Sequence, residues 1–166
     1  MTDLAALLQN FRRSAFRLET LEHYIVPQEA EWFAAWRRTG RLPELTPEND
    51  SWLRMVLDHT RAGRVMQRVR VVSTPLTDYE RFELALFPPS LEAGEDIRVI
   101  SRSVFRSILR VTEDFWLFDS QTAVMLRYDS AGRFLSVAPG QSSICQRRCD
   151  EVLAQSIPLK EYLATL

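Results

Sequence analysis

Arg68 and Arg70, two residues apart, have the type and spacing for binding chemistry. They stand in Val65-Met-Gln-Arg-Val-Arg-Val-Val72. Side chains alternate along an extended chain, so Val65, Gln67, Val69 and Val71 take one face and Met66, Arg68, Arg70 and Val72 the other. The β-branched valines suit a strand. Two guanidinium groups side by side on a sheet face need carboxylates or an anionic ligand near them. Arg98, in the apolar run Ile97–Ile100, is expected to join them, with Tyr79 and Trp116 as an aromatic wall. Glu95, Asp96, Asp114 and Asp119 fall at predicted strand ends. They read as turn residues in surface ion pairs, or as a buried arginine–carboxylate network rimming a pocket.

Other chemistries lack their parts. There are two histidines, His23 and His59, and neither His-x-Lys nor His-Glu-x-x-His occurs. A catalytic triad or a histidine-based zinc site would need one of them with partners. Cys145 and Cys149 lie four apart on a predicted helix, hence on one face. Two thiols without further ligands make a poor zinc set and read as small buried residues. Five glycines leave no phosphate-binding loop and no dinucleotide fingerprint, and Lys160 is the sole lysine. No metal site and no cofactor is expected. A net charge of −1 lacks the positive field of nucleic-acid binders, which disfavours direct nucleic-acid binding.

The elements that must position these residues follow from local pattern. Thr74 fits a helix N-cap with Pro75 in the first turn, and Leu76, Tyr79, Phe82 and Leu86 make one apolar face. Thr77 and Glu80 offer a second, capping-box start. Pro88 and Pro89 end that helix, and Ser90 to Gly94 reads as loop. Upstream, Thr2 to Asn10 reads as a short helix, and Phe11 to Leu18 as strand or loop. Val26 to Thr39 reads as a helix entered at Pro27 and closed at Gly40, with Trp32, Phe33 and Trp36 on one side. A further helix is expected from Thr46-Pro47 to Ala62, with Trp52, Met55, Val56 and His59 inward. Downstream, Asp114–Asp119, Thr122–Tyr128 and Arg133–Val137 read as an antiparallel meander turning at Asp129–Gly132. A last helix starts at Ser142 or Ser143 and reaches Ser156, where Pro158 interrupts.

The expectation is one α+β domain over residues 1–166, with a mainly antiparallel sheet packed by helices and a helical N-terminal third. Its 46% hydrophobic and 26% charged residues are ordinary for a globular chain of 166 residues. No stretch approaches the ~20 apolar residues of a membrane span. The N-terminus does not read as a signal peptide, and the expected location is cytoplasmic.

Three stretches carry a resemblance: Arg68 to Glu83 (RVRVVSTPLTDYERFE), Ala93 to Arg98 (AGEDIR) and Asp114 to Asp119 (DFWLFD). Together they resemble an uncharacterised actinobacterial family, over about Phe16 to Tyr162. The family is often encoded beside helix-turn-helix regulators. The resemblance implies a regulatory setting and a protein partner, and it supplies no catalytic residue. Glu80 departs from the family's apolar residue at that position.

The leading expectation is therefore a regulatory or interaction module. It works with a helix-turn-helix regulator, through protein contact or by sensing a small anionic ligand, which Arg68, Arg70 and Arg98 would neutralise. Whether it is an enzyme stays open, with residue types favouring a non-enzyme. The alternative is a hydrolase or transferase acting on a phosphate-bearing substrate through Asp96, Asp114 or Asp119 with arginine clamps.

Overall fold

The computed structural model describes residues 2–110 and 113–166. Helix α1 (Leu4–Asn10) leads into β1 (Ser14–Glu19). A 3-10 turn (Pro27–Glu29) runs into α2 (Ala30–Thr39), which Gly40 closes in the left-handed conformation as its position predicts. Then come α3 (Ser51–Arg61), β2 (Val65–Val72), α4 (Asp78–Leu86), α5 (Pro88–Ala93), β3 (Asp96–Ser101) and α6 (Arg102–Ile108). The meander β4 (Asp114–Phe118), β5 (Thr122–Tyr128) and β6 (Phe134–Gly140) precedes α7 (Ser142–Gln155), β7 (Ile157–Pro158) and α8 (Leu159–Leu163).

Among the described residues, seven strands form one sheet in the order β6-β5-β4-β1-β2-β3-β7. Only β1–β2 and β2–β3 pair in parallel, so the sheet is mostly antiparallel and the fold is α+β. The ambiguous stretch before Leu18 is thus the strand that joins the meander to the parallel part. It interrupts the otherwise helical N-terminal third.

The two sheet faces differ in kind. One face carries Phe16, Leu18, Val69, Val71, Ile100, Phe115 and Leu117 under Phe105, Cys145, Cys149 and Val152 of α6 and α7. That core is wholly apolar, and burial pushes both thiols up, Cys149 to about 12. These cysteines are packing residues. The other face is apolar at one end, where Ala15, Met66, Trp116 and Phe118 meet α1 and α3. It is charged in the middle.

Helix α4 takes the second of its two expected starts, at Asp78 and not at Pro75, and three other readings differ. Thr77 Oγ1 accepts from the Glu80 N–H, and the Glu80 carboxylate accepts from the Thr77 N–H, so the reciprocal cap fixes the start. Glu80 also accepts from the N–H and hydroxyl of Ser73, which explains how a carboxylate is tolerated there with no exposure. Helix α3 begins at Ser51, capped by Asp50. Asn49 ties Thr46 N–H and Glu44 C=O into a turn ahead of it, so Thr46 caps nothing. The expected loop Ser90–Gly94 is mostly helix α5, since Pro88 and Pro89 fit a first turn as well as they end the preceding helix. At the C-terminal side, Ile157 and Pro158 pair with Val99 and Arg98 as a short edge strand that the sequence reading lacked.

Gly132 sets the approach of the segment that covers the charged face. Its φ is +90°, and a Cβ there would run into the carbonyl of His23. The close crossing lets Ile25 N–H bond the Gly132 carbonyl at 2.9 Å, which lays residues 23–29 across the end of the meander.

Candidate functional site

The register explains why charge gathers in the middle of one face. Arg17 of β1 stands beside Arg68 of β2, and Glu19 beside Arg70. On the other flank, Arg17 stands beside Trp116 of β4. Like charges directly opposite repel, so the pairing runs along diagonals and to the helices above. Arg68 donates from Nη1 to Glu19 at 3.0 Å and from Nε and Nη2 to Glu95 at 2.8 and 3.3 Å. Arg17 donates from Nη2 to Asp114 at 3.0 Å and to the Tyr128 hydroxyl at 3.1 Å. Arg70 is fully buried and donates from Nε to Glu83 of α4 at 2.6 Å. Asp114 accepts two further bonds from Thr20 and one from the Tyr24 hydroxyl.

Burial works against each of these charges, and the pairing decides the outcome. The carboxylates Asp114 for Arg17, Glu95 and Glu19 for Arg68, and Glu83 for Arg70 outweigh desolvation, so all three guanidinium groups are held charged. Glu19 is likewise held below the usual carboxylate range, because Arg68 and Arg17 overcome its burial. Glu83 goes the other way. Burial pushes it up to about 7 against the pull of Arg70, with Glu19 adding to the rise. Glu29, partly buried near Glu19, is also raised, chiefly by burial.

Over this floor lies an open cleft in two lobes. The smaller, of about 350 Å³, is lined by Arg17, Glu19, Tyr24, Glu29, Tyr79 and Glu83 among others. The larger, of about 510 Å³, shares Arg17, Glu29, Arg68 and Phe87 with it and extends to Trp32, Trp52 and Trp116. The arginines are also stacked: Arg68 lies 4.8 Å over the Phe87 ring and 5.5 Å over Trp52, and Arg17 lies 5.9 Å over Trp116.

The residues singled out from sequence divide into two groups. Arg68, Tyr79 and Trp116 line the cleft, Glu95 holds Arg68, and Arg70 and Asp114 lie in the floor with it. Arg98 does not join them. It stands beside Val69 on the opposite face and bonds the hydroxyl and carbonyl of Ser156. Asp96 bonds Gln67 on that same opposite face. Asp119 sits just past the far end of β4 from Asp114, where its carboxylate accepts the backbone N–H groups of Arg12, Arg13 and Ser14. Burial works to raise its pKa, and these bonds together hold it below the usual range. The three aspartates therefore share no concave surface, and the hydrolase or transferase arrangement expected of them is not formed. Nor do Arg68, Arg70 and Arg98 form one anion site, since the first two carry their own carboxylates and the third faces away. Arg17, Glu19, Tyr24, Glu29 and Glu83 were missed. The Arg-x-Glu of Phe16-Arg-Leu-Glu19 mirrors Arg-x-Arg on the neighbouring strand and was the available signal.

The histidines take supporting places. His59 Nε2 lies 2.8 Å from the Leu8 carbonyl with its ring on Phe11, and the His23 ring lies 4.5 Å from that of Tyr79.

A stability profile should report the floor. Glu83 binds its proton more tightly folded than unfolded, so its contribution is greatest below the unfolded glutamate value and is lost as pH rises through about 7. Unfolding free energy measured with urea should fall by on the order of 3 kcal/mol from this group between about pH 5 and 8. His23, lowered by partial burial, acts in the opposite sense near its own titration. The difference between wild type and Glu83→Gln isolates the glutamate, and parallel profiles for the two would refute its raised pKa.

One family model, described as Domain of unknown function (DUF6879), matches residues 2–164. No curated protein and no solved structure matches the chain. Among the described residues, no helix is long and apolar enough to cross a membrane.

Proposed function

The chain belongs to this family, whose description assigns no activity, and from its own residues we propose a regulatory binding module: a small ligand enters the cleft, and a helix-turn-helix regulator reads the occupied domain. The observation that carries the reading is the cleft, an aromatic-walled hollow over fixed, paired charges. Concave sites with apolar walls and a few placed polar groups are the usual form of a ligand site. The floor supports binding more than turnover, because Arg17, Arg68 and Arg70 are each held by a carboxylate. The regulatory half of the reading comes from the resemblance carried by Arg68–Glu83, Ala93–Arg98 and Asp114–Asp119.

A surface for the partner adjoins the ligand site. Strand β6 is an edge of the sheet, with Phe134 53% and Leu135 62% exposed, and Phe134 also lines the smaller lobe. An exposed apolar edge strand is suited to receive a partner segment. Ligand and partner would then meet at Phe134.

The test is co-elution of the purified domain with a helix-turn-helix regulator of the kind the resemblance implies, on a sizing column. We expect a complex that Leu135→Glu abolishes while the variant keeps its unfolding transition. Separate elution of the wild-type proteins, with and without small molecules that bind the cleft, would remove the partner from the proposal.

A further inference from the structure

The charges around the cleft do not balance. Glu19, Glu29, Asp50, Glu83, Glu95 and Asp114 stand against Arg17, Arg68 and Arg70, six acids to three bases. The arginines that reach the cleft are committed: Arg68 places Nε, Nη1 and Nη2 on Glu95 and Glu19, and Arg17 is held by Asp114, Tyr128 and the Leu18 carbonyl. Three of the acids have capacity left. Glu19 accepts through Oε1, Glu29 through Oε2 and Glu83 through Oε2. The second oxygen of each accepts no bond among the described residues and is not sealed within the core. All three side chains line the smaller lobe, and they are close enough that Glu19 disfavours ionisation of both others.

We propose that the smaller lobe takes the protonated amine head of an organic ligand, seated against the open oxygens of Glu19, Glu29 and Glu83 with Tyr24, Tyr79 and Tyr128 around it. The proposal rests on the cleft being a ligand site, and it reverses the sign of ligand that the two arginines alone suggest. A free anion entering here would meet surplus negative charge and would have to strip Arg68 of bonds it already makes. An ammonium group meets unspent acceptors and aromatic faces, both of which favour it. A bare metal ion fits less well. Among the described residues, no three His, Cys, Asp or Glu side chains group to hold one. With the lobe empty of cation, the surplus is relieved by protons, as the raised Glu83 and Glu29 indicate. An ammonium group would take their place and release them.

Three probes with one aromatic body and different heads decide the matter: phenethylamine, 2-phenylethanol and 3-phenylpropionate, each titrated calorimetrically at millimolar concentration into the full chain. The expected result is binding of the amine alone, tighter at pH 8 than at pH 6. Glu29→Gln, which keeps the acceptor for Tyr79 and lies at the half-buried rim, should weaken it about tenfold. Equal or tighter binding of the carboxylate, or equal binding of the alcohol, overturns the cation while leaving a ligand cleft. Silence of all three, with no change in thermal unfolding, overturns the cleft as well.

Discussion

Replacing Arg70 with alanine is expected to cost about 4 kcal/mol of unfolding free energy, the largest loss from any single side chain in the floor. Arg70 is fully buried, and its Nε is the donor to Glu83 at 2.6 Å. Its Nη1 donates to the carbonyls of Leu21 and Val71, and its guanidinium lies 5.1 Å from the Tyr24 ring. Truncation leaves Glu83 buried without a counter-ion and two carbonyls without their donor. The loss should grow with pH, because an unpaired Glu83 escapes the penalty only by taking a proton. The double variant Arg70→Met/Glu83→Leu removes both charges and should recover most of the loss, since a buried ion pair contributes little over apolar residues of similar size. Urea unfolding followed by circular dichroism measures both. A loss below about 1 kcal/mol in the single variant would mean that Arg70 and Glu83 are solvated in solution.

The second large effect is expected at Asp114. Its side chain is 1% exposed and accepts from Arg17 Nη2, the Thr20 N–H, the Thr20 hydroxyl and the Tyr24 hydroxyl, at 2.6 to 3.0 Å. Asparagine keeps the shape but turns an NH₂ toward donors and leaves Arg17 buried without its nearest counter-charge. We expect Asp114→Asn to lose about 3 kcal/mol. Tyr24→Phe, which removes one donor only, should lose about 1 kcal/mol. The ratio matters, because Asp114 ties β4 to the segment after β1 that carries Tyr24 over the cleft. Near-ultraviolet circular dichroism of Asp114→Asn should show the tyrosine environment disturbed, and an unchanged spectrum with equal losses in the two variants would refute that role.

Local patterns made most elements legible. The valine alternation placed Arg68 and Arg70 on one face, and Pro27 with Gly40 bracketed the turn and helix over Trp32, Phe33 and Trp36. The turn Asp129–Gly132 closed the expected meander. The site was less legible, because its partners are set by register between distant strands. Nothing in residues 14–19 says that Glu19 will stand beside Arg70, or that Arg17 will face Trp116. Arg98 illustrates the same limit. Its strand was expected, but a side chain's face depends on which residue of β2 stands opposite, and Val69 does. The acids around the cleft were harder to see for a related reason. The arginines are conspicuous in a cluster, whereas Glu19, Glu29 and Glu83 are scattered over a strand, a turn and a helix.

The claim on which the account depends is that acid exceeds base around the cleft and is relieved by protons until a cation enters. Carboxyl carbon resonances of side-chain ¹³C-labelled glutamate, titrated by pH and assigned with Glu83→Gln and Glu29→Gln, test it directly. The account predicts one glutamate with a midpoint near 7, assigned to Glu83, and a lower midpoint for that resonance when phenethylamine is present. Ordinary midpoints for every glutamate, unmoved by the amine, would contradict it.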